Sequence, residues 1–225
     1  VELFAPVGEP QTMSSVRQSM LKSNVKPATG VIAAAATAGD EAWLLNTEGE
    51  SVVLCHAHHQ TYHVTDLFVD AWEQEASQWD WNDAIDGCRL VVTRGSPVLS
   101  MNGTIVTLRR GKLMRVAECR STISDLSPSP PHSRDRVAAA HHAGLDIVCL
   151  DSGEVSSVCR DRPYSRCLYA GPGKLLACGD GLLHGFELRG DVAKRVAELR
   201  LRDESSLVNL LRLDPHHVLV TYVDG

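Results

Sequence analysis

The sequence has no apolar run near the roughly 18 to 20 residues that a membrane-crossing helix needs. Its longest apolar stretch, Val31 to Ala36, is the length of a strand, so no membrane span is expected. No Cys-x-x-Cys pair occurs among the seven cysteines Cys55, Cys88, Cys119, Cys149, Cys159, Cys167 and Cys178. They are odd in number and mostly embedded in apolar runs, which predicts reduced core thiols in a cytoplasmic or nuclear protein rather than a disulfide framework. No leader segment is visible after Val1. An excess of positive charge is missing as well. The 22 Lys and Arg face 28 Asp and Glu, for a formal net charge of −6 and a pI near 5.9, so a general nucleic-acid-binding surface is not expected. Nucleophile elbow, phosphate-cradling loop and zinc-hydrolase helix are all absent. The expectation is therefore a protein that is not an enzyme, with no cofactor, no metal and no small-molecule substrate.

What the sequence does have is a recurring pair of glycine turns. Gly39 and Gly49, Gly103 and Gly111, Gly144 and Gly153, and Gly181 and Gly190 lie 8 to 10 residues apart, with a β-rich run between the two turns each time. Glycine supplies the positive φ that tight hairpin connections need, so each pair brackets a strand of six or seven residues in an antiparallel meander. Adding the β-rich runs Thr122 to Leu126, Arg166 to Ala170 and Leu207 to Leu213 gives four strands per unit. From Gly103 the units advance by 41 residues to Gly144, 37 to Gly181 and 44 to Gly225; the first step, 64 from Gly39, contains an insertion. Four-stranded units of about 40 to 45 residues are the sequence signature of propeller blades.

Leu145 to Leu150 is largely apolar on both faces, which predicts a strand buried between neighbouring blades. Leu182 to Leu188 alternates an apolar face with Leu183, Gly185 and Glu187 and predicts an outer or edge strand. In the second unit, Met101-Asn102-Gly103 reads as a looser connection between Arg89 to Thr93 and Thr104 to Leu108.

The segments CGDGLLHGFELRGD from Cys178 and HHAGLDIVCLDSGE from His141 resemble degenerate WD40-type repeats: an apolar strand, an Asp-Gly-type turn, a second strand, a polar-Gly turn. The resemblance covers roughly residues 30 to 225 and lies in blade rhythm; no central strand ends in Trp-Asp and no repeat opens with Gly-His. It implies an all-β propeller of four-stranded antiparallel blades, with about four and a half of the six to eight blades that complete rings commonly have. Residues 1–225 are expected to form one propeller domain or part of one, interrupted by insertions at 9–29 and 60–87. The first insertion carries Met13, Val16, Met20 and Leu21 at helical spacing.

The second insertion offers the expected partner-binding residues. From Thr65 to Asp86 it has seven acids and no Lys or Arg, and Phe68, Trp72 and Trp79 fall at helical spacing. An acidic helix presenting Phe68, Trp72, Trp79 and Trp81 beside Glu73 and Glu75 suits docking of another protein; the same stripe suits packing on the flank of its own propeller. The expected role is a scaffold for protein–protein interaction within a larger intracellular multi-subunit complex.

Two other classes compete. Asp40, Asp180 and Asp224, with Asn102, fall in equivalent turns and would line one rim, as a propeller-type hydrolase requires, although Asp beside Gly is ordinary turn chemistry. Arg109, Arg110, Lys112 and Arg115, and separately Arg160, Arg162 and Arg166, form basic turns of use to an RNA-binding propeller. His56, His58, His59 and His63 follow Cys55 and read as a polar blade edge rather than a metal site; His141-His142 and His216-His217 flank strands. Ser127-Pro128 and Ser129-Pro130 offer sites for a proline-directed kinase.

Overall fold

The computed structural model describes residues 32–38, 41–48, 51–56, 61–63, 88–131, 133–190, 192–201, 207–214 and 217–222. Among them, all regular structure is β. The first sheet contains β1 (Ile32–Ala38), β2 (Glu41–Glu48), β3 (Ser51–His56) and β4 (Thr61–His63). The second contains β5 (Arg89–Thr93), β6 (Ser96–Met101), β7 (Thr104–Arg109) and β8 (Lys112–Glu118). The third contains β9 (Ile123–Pro128), β10 (Arg136–His141), β11 (Gly144–Cys149) and β12 (Val155–Cys159), and the fourth β13 (Arg166–Gly171), β14 (Lys174–Gly179), β15 (Leu182–Arg189) and β16 (Val192–Arg200). A two-stranded fifth sheet pairs β17 (Leu207–Arg212) with β18 (Val218–Tyr222).

Every sheet is an antiparallel meander in chain order, and the first strands of successive sheets are neighbours: β1 beside β5, β5 beside β9, β9 beside β13, β13 beside β17. Sheets joined through their first strands and splaying outward are blades around an axis. The chain is a β-propeller, as the glycine rhythm predicted. The outer strands β8 and β16 are largely exposed, whereas the middle strands β10 and β11 are almost wholly buried.

Three buried clusters fill the gaps between consecutive blades. Leu45 and Leu54 meet Leu90, Leu99 and Val106; Val98 and Ile105 meet Leu126, Val137 and Val148; Ala138, Leu145 and Ile147 meet Leu175, Ala177 and Phe186. Side chains alternate across a strand, so Leu145 and Ile147 enter one gap while Val148, with Leu150 just beyond the strand, enters the other. This is the two-sided burial expected of Leu145 to Leu150.

The turns explain the glycines. Arg94-Gly95, Asn102-Gly103, Arg110-Gly111 and Asp180-Gly181 each place both central residues at positive φ, the two-residue hairpin geometry whose twist matches that of the strands. Gly153 does more than turn: at φ +75°, a Cβ there would lie 2.4 Å from the Val116 carbonyl oxygen of the preceding blade.

Three expectations need correction. Ser96–Met101 is a full strand pairing with β5 and β7, not a loose connection. Leu182–Arg189 is not an edge strand, since it pairs with β14 on one side and β16 on the other. In the first blade the phase shifts by one strand: the Gly39-Asp40 connection joins first to second strand, whereas Gly103, Gly144 and Gly181 join second to third. Thr61–His63 completes the first blade, inside the stretch expected as an insertion.

Candidate functional site: the turn faces and outer edge of the propeller

Meander topology gives the propeller two faces. Connections between strands one and two and between three and four share one face; those between two and three, and from one blade to the next, share the other. The first face is basic. Arg94, Arg109, Arg110, Lys112, Arg134, Arg136, Lys174, Arg189 and Arg212 lie there against Glu41, Asp135, Asp151, Glu154, Glu187 and Asp214 among the described residues, although the whole chain is acidic.

Several of these groups clamp neighbouring blades. The Arg109 guanidinium donates to the Leu150 carbonyl and lies 3.8 Å from the Asp151 carboxylate. Arg136 donates to the Gly190 carbonyl at 3.0 Å, and the Thr93 hydroxyl to Asp135 at 2.8 Å. The first strands are joined in the same manner. The backbone N–H of Cys167 donates to the Asp125 carboxylate at 2.9 Å and that of Tyr169 to the Ser127 hydroxyl at 2.8 Å. Burial pushes the Asp125 carboxyl up to about 6, against the lowering effect of the Cys167 N–H and of Arg166.

Two buried polar groups pin the opposite face. His141 Nε2 lies 3.0 Å from Asp146 Oδ2, both almost fully buried. Burial alone would raise the Asp146 carboxyl, but hydrogen bonds from His141 and Ser157, with the charge of Arg160, hold it below the ordinary range. In the fourth blade the Tyr164 hydroxyl lies 2.8 Å from His184 Nδ1, and His184 Nε2 lies 3.2 Å from Glu198 Oε2. Nearby, the Cys159 thiol donates to Asp161 Oδ1 at 2.6 Å.

On the basic face, a cleft of about 270 Å³ opens between the third and fourth blades. Ser129, Pro130, Ser133, Arg134 and Arg136 form one wall, and Tyr169, Gly173, Leu188 and Gly190 the other. The loop wall holds itself in shape: the Ser129 hydroxyl donates to the Arg134 carbonyl at 2.8 Å and accepts the Arg136 N–H at 3.2 Å, and the Ser133 hydroxyl donates to the Pro130 carbonyl at 2.6 Å. Tyr169 is 6% exposed, and its hydroxyl has no hydrogen-bond partner.

The outer edge of the fourth blade is apolar in places. Along β16, Val192, Val196 and Leu199 are 70, 51 and 61% exposed, and Leu211, Leu213 and Leu219 on the next sheet are also exposed. Such groups mark a surface suited to association.

The sequence-derived sites separate in the structure. Phe68, Trp72, Glu73, Glu75, Trp79 and Trp81 lie outside the described residues, as do Asp40, Asp224, His58, His59, His216 and the helix expected around Met13 to Leu21. Of the expected rim, only Asp180 and Asn102 fall among the described residues. Asp180 and Asn102 occupy second-to-third turns, whereas the strands flanking Asp40 are first and second in their sheet. The two basic turns lie on opposite faces, Arg109 to Lys112 between third and fourth strands and Arg160 to Arg162 between blades. Ser127 is 3% exposed and accepts the Tyr169 N–H, so it is not an accessible kinase site, whereas Ser129 lines the cleft. His56 stacks on Trp43 at 4.4 Å, and His217 bonds Asp214 at 2.7 Å. None of the seven cysteines is in a disulfide. The reading of the residues missed Tyr164, His184, Glu198, Tyr169, Arg134 and Arg136. His184 alone gave a signal, a histidine on the apolar face of LLHGFEL.

No family model and no curated protein matches this sequence. Its fold is similar to that of Hsv2 from Kluyveromyces lactis, with a TM-score of 0.56 at 12% identity over 86% of this chain and 65% of that one. It is also similar to a chain of the mitotic checkpoint complex, with a TM-score of 0.61 at 7% identity over 85% of this chain and 58% of that one. The chain thus spans about three fifths of the length of these structures, and the likeness is one of fold, a β-propeller.

Proposed function

We propose that this propeller is a non-catalytic platform for protein–protein interaction, serving as one component of a larger multi-subunit assembly. The observation that carries the reading is the outer edge of the fourth blade. β16 is a nine-residue strand, hydrogen-bonded on one side only among the described residues, and it presents Val192, Val196 and Leu199 to solvent. An exposed strand edge with apolar side chains can accept a partner's strand or apolar ridge. The buried polar groups agree with a passive role. His141, Asp146, Tyr164 and His184 are engaged in bonds that fix strands and blade connections, which gives the outer surface a rigid support. A fold neighbour that is itself a chain of a multi-protein complex accords with the same reading, at the level of fold.

Affinity capture from the protein's own cells, with wild type, Val196→Glu, Leu199→Glu and Met114→Glu as baits, tests it. Met114 is exposed on β8, the corresponding strand of the second blade. The expected result is a co-purifying protein lost with the two β16 variants and retained with Met114→Glu, at an unchanged unfolding midpoint. Equal recovery with all four baits, or unfolding of both β16 variants, would contradict the reading.

A further inference from the structure

The charges of the basic face are not all spent within the fold. Its carboxylates are mostly engaged: Asp135 accepts the Thr93 hydroxyl, Asp151 lies 3.8 Å from Arg109, Glu187 3.7 Å from Arg189, and Asp214 2.7 Å from His217. The cations divide into two groups. Arg94, Arg109 and Arg136 each donate to a backbone carbonyl of the next blade, at Ser133, Leu150 and Gly190. Arg110, Lys112, Arg134 and Lys174 are exposed, and among the described residues their side chains have no hydrogen-bond or ion-pair partner. Blade geometry puts them there. Arg110, at φ 51° ahead of Gly111, forms the tip of the β7–β8 hairpin, and Lys112 follows that turn; Arg134 stands in the loop joining β9 to β10, and Lys174 opens β14. The second, third and fourth blades thus hold unpaired cations towards the same side.

We infer that this face docks an acidic, extended segment of a partner protein, whose carboxylates pair with Arg110, Lys112, Arg134 and Lys174. The four cations come from separate turns, and carboxylates on a flexible backbone can meet such scattered points one at a time. Arg110 and Arg134 offer planar forks that take a carboxylate through two parallel hydrogen bonds; Lys112 and Lys174 offer point charges. The bonds made by Arg94, Arg109 and Arg136 hold the turns of neighbouring blades together, so less ordering is left for the moment of binding. Nucleic acid fits this face less well. Its phosphates form a continuous string, which would run past exposed Glu154 and onto the rest of a chain that carries −6 as a whole. No aromatic residue stands among the exposed large apolar side chains of the described residues to stack on a base.

This surface is separate from the β16 edge, and so is its test. A fluorescein-labelled oligo-glutamate peptide is titrated with the purified chain and followed by anisotropy, beside a labelled uridine oligonucleotide and vesicles of phosphatidylserine in phosphatidylcholine. The expected result is saturable binding of oligo-glutamate that weakens as salt is raised, with weaker binding of the oligonucleotide and the vesicles. Arg110→Glu, Arg134→Glu and Lys174→Glu should each weaken the peptide's binding about fivefold. Their unfolding midpoints should match wild type, because none of the three side chains has a partner among the described residues. Arg120→Glu makes the same change in net charge from the β8–β9 connection, on the opposite face, and should bind as wild type does. Absence of saturable binding at low salt, or equal weakening by Arg120→Glu, would overturn the docking surface and leave the β16 reading standing. Tighter binding of the oligonucleotide or the vesicles, lost in the same three variants, would overturn the acidic segment as the partner.

Discussion

The Tyr164 hydroxyl lies 2.8 Å from Nδ1 of His184, twenty residues along the chain, and so ties the connection entering the fourth blade to that blade's third strand. Glu198, at 3.2 Å from Nε2, extends the tie to the outer strand. Tyr164 and His184 are 1% and 0% exposed, so the imidazole is held between the Tyr164 hydroxyl at Nδ1 and the Glu198 carboxylate at Nε2.

This arrangement makes stability fall in mild acid. Burial, followed by the charges of Arg162 and Arg195, lowers the His184 pKa despite the opposing pull of Glu198. A base whose folded pKa is depressed contributes stability that is present above its unfolded pKa, about 6.5, and is lost as pH falls through the folded value. Tyr164→Phe leaves Nδ1 without its hydrogen-bond partner and should cost about 1 to 3 kcal/mol at pH 7.5. Urea titrations at pH 7.5 and pH 5.5 check both statements. The same change in stability between the two pH values in His184→Gln as in wild type would remove the role given to His184.

Asp125 works in the opposite direction. Its carboxyl is raised to about 6 by burial, so its contribution to stability is present below the unfolded value near 3.9 and is lost as pH rises through 6. Asp125→Asn keeps an oxygen to accept the Cys167 N–H while removing the charge. Relative to wild type, this variant should gain roughly 1 kcal/mol between pH 5 and pH 8 in paired urea titrations. No relative gain would mean that the buried carboxylate is fully compensated.

Gly111 and Gly153 share nearly the same backbone, at φ +74° and +75°, but not the same surroundings. A Cβ on Gly111 meets nothing within 4 Å, whereas one on Gly153 collides with the Val116 carbonyl. Gly111→Ala should therefore cost about 1 kcal/mol through φ strain alone, and Gly153→Ala about 3 kcal/mol or more. Thermal unfolding of the pair reports directly on how tightly the second and third blades approach. Equal costs would contradict the contact between them.

The thiols should react unequally. Burial pushes Cys88, Cys119 and Cys178 up to about 12, while hydrogen bonds from the Ser152 hydroxyl and backbone lower the pKa of half-buried Cys149. Timed alkylation at pH 7.5 with peptide mapping should find Cys149 modified well before those three. Simultaneous modification would indicate that the blades open on the timescale of the reaction.

Much of this architecture was legible because its governing constraint is local. A two-residue hairpin demands positive φ, and Gly103, Gly111 and Gly181 meet that demand wherever the blade repeats. Ser96–Met101 escaped notice because Pro97 argues against a strand, yet its missing N–H is tolerated and its carbonyl accepts the Thr107 hydroxyl at 2.9 Å. Leu182–Arg189 read as an outer or edge strand because Leu183, Gly185 and Glu187 make its second face mixed; a Cβ at Gly185 would lie 3.1 Å from the Ala197 methyl of the covering strand β16. Nothing local could reveal the cleft, whose walls come from Ser129 to Arg136 and from Tyr169 to Gly190, two segments that meet only when blades dock.

Hydrogen–deuterium exchange, compared between the free protein and the assembly captured from its own cells, tests the platform reading most directly. The outward-facing amides of Val192 to Arg200 should exchange rapidly in the free chain and become protected in the assembly, while β10 and β11, buried in both, stay slow. Unchanged rapid exchange along Val192 to Arg200 within the assembly would contradict it.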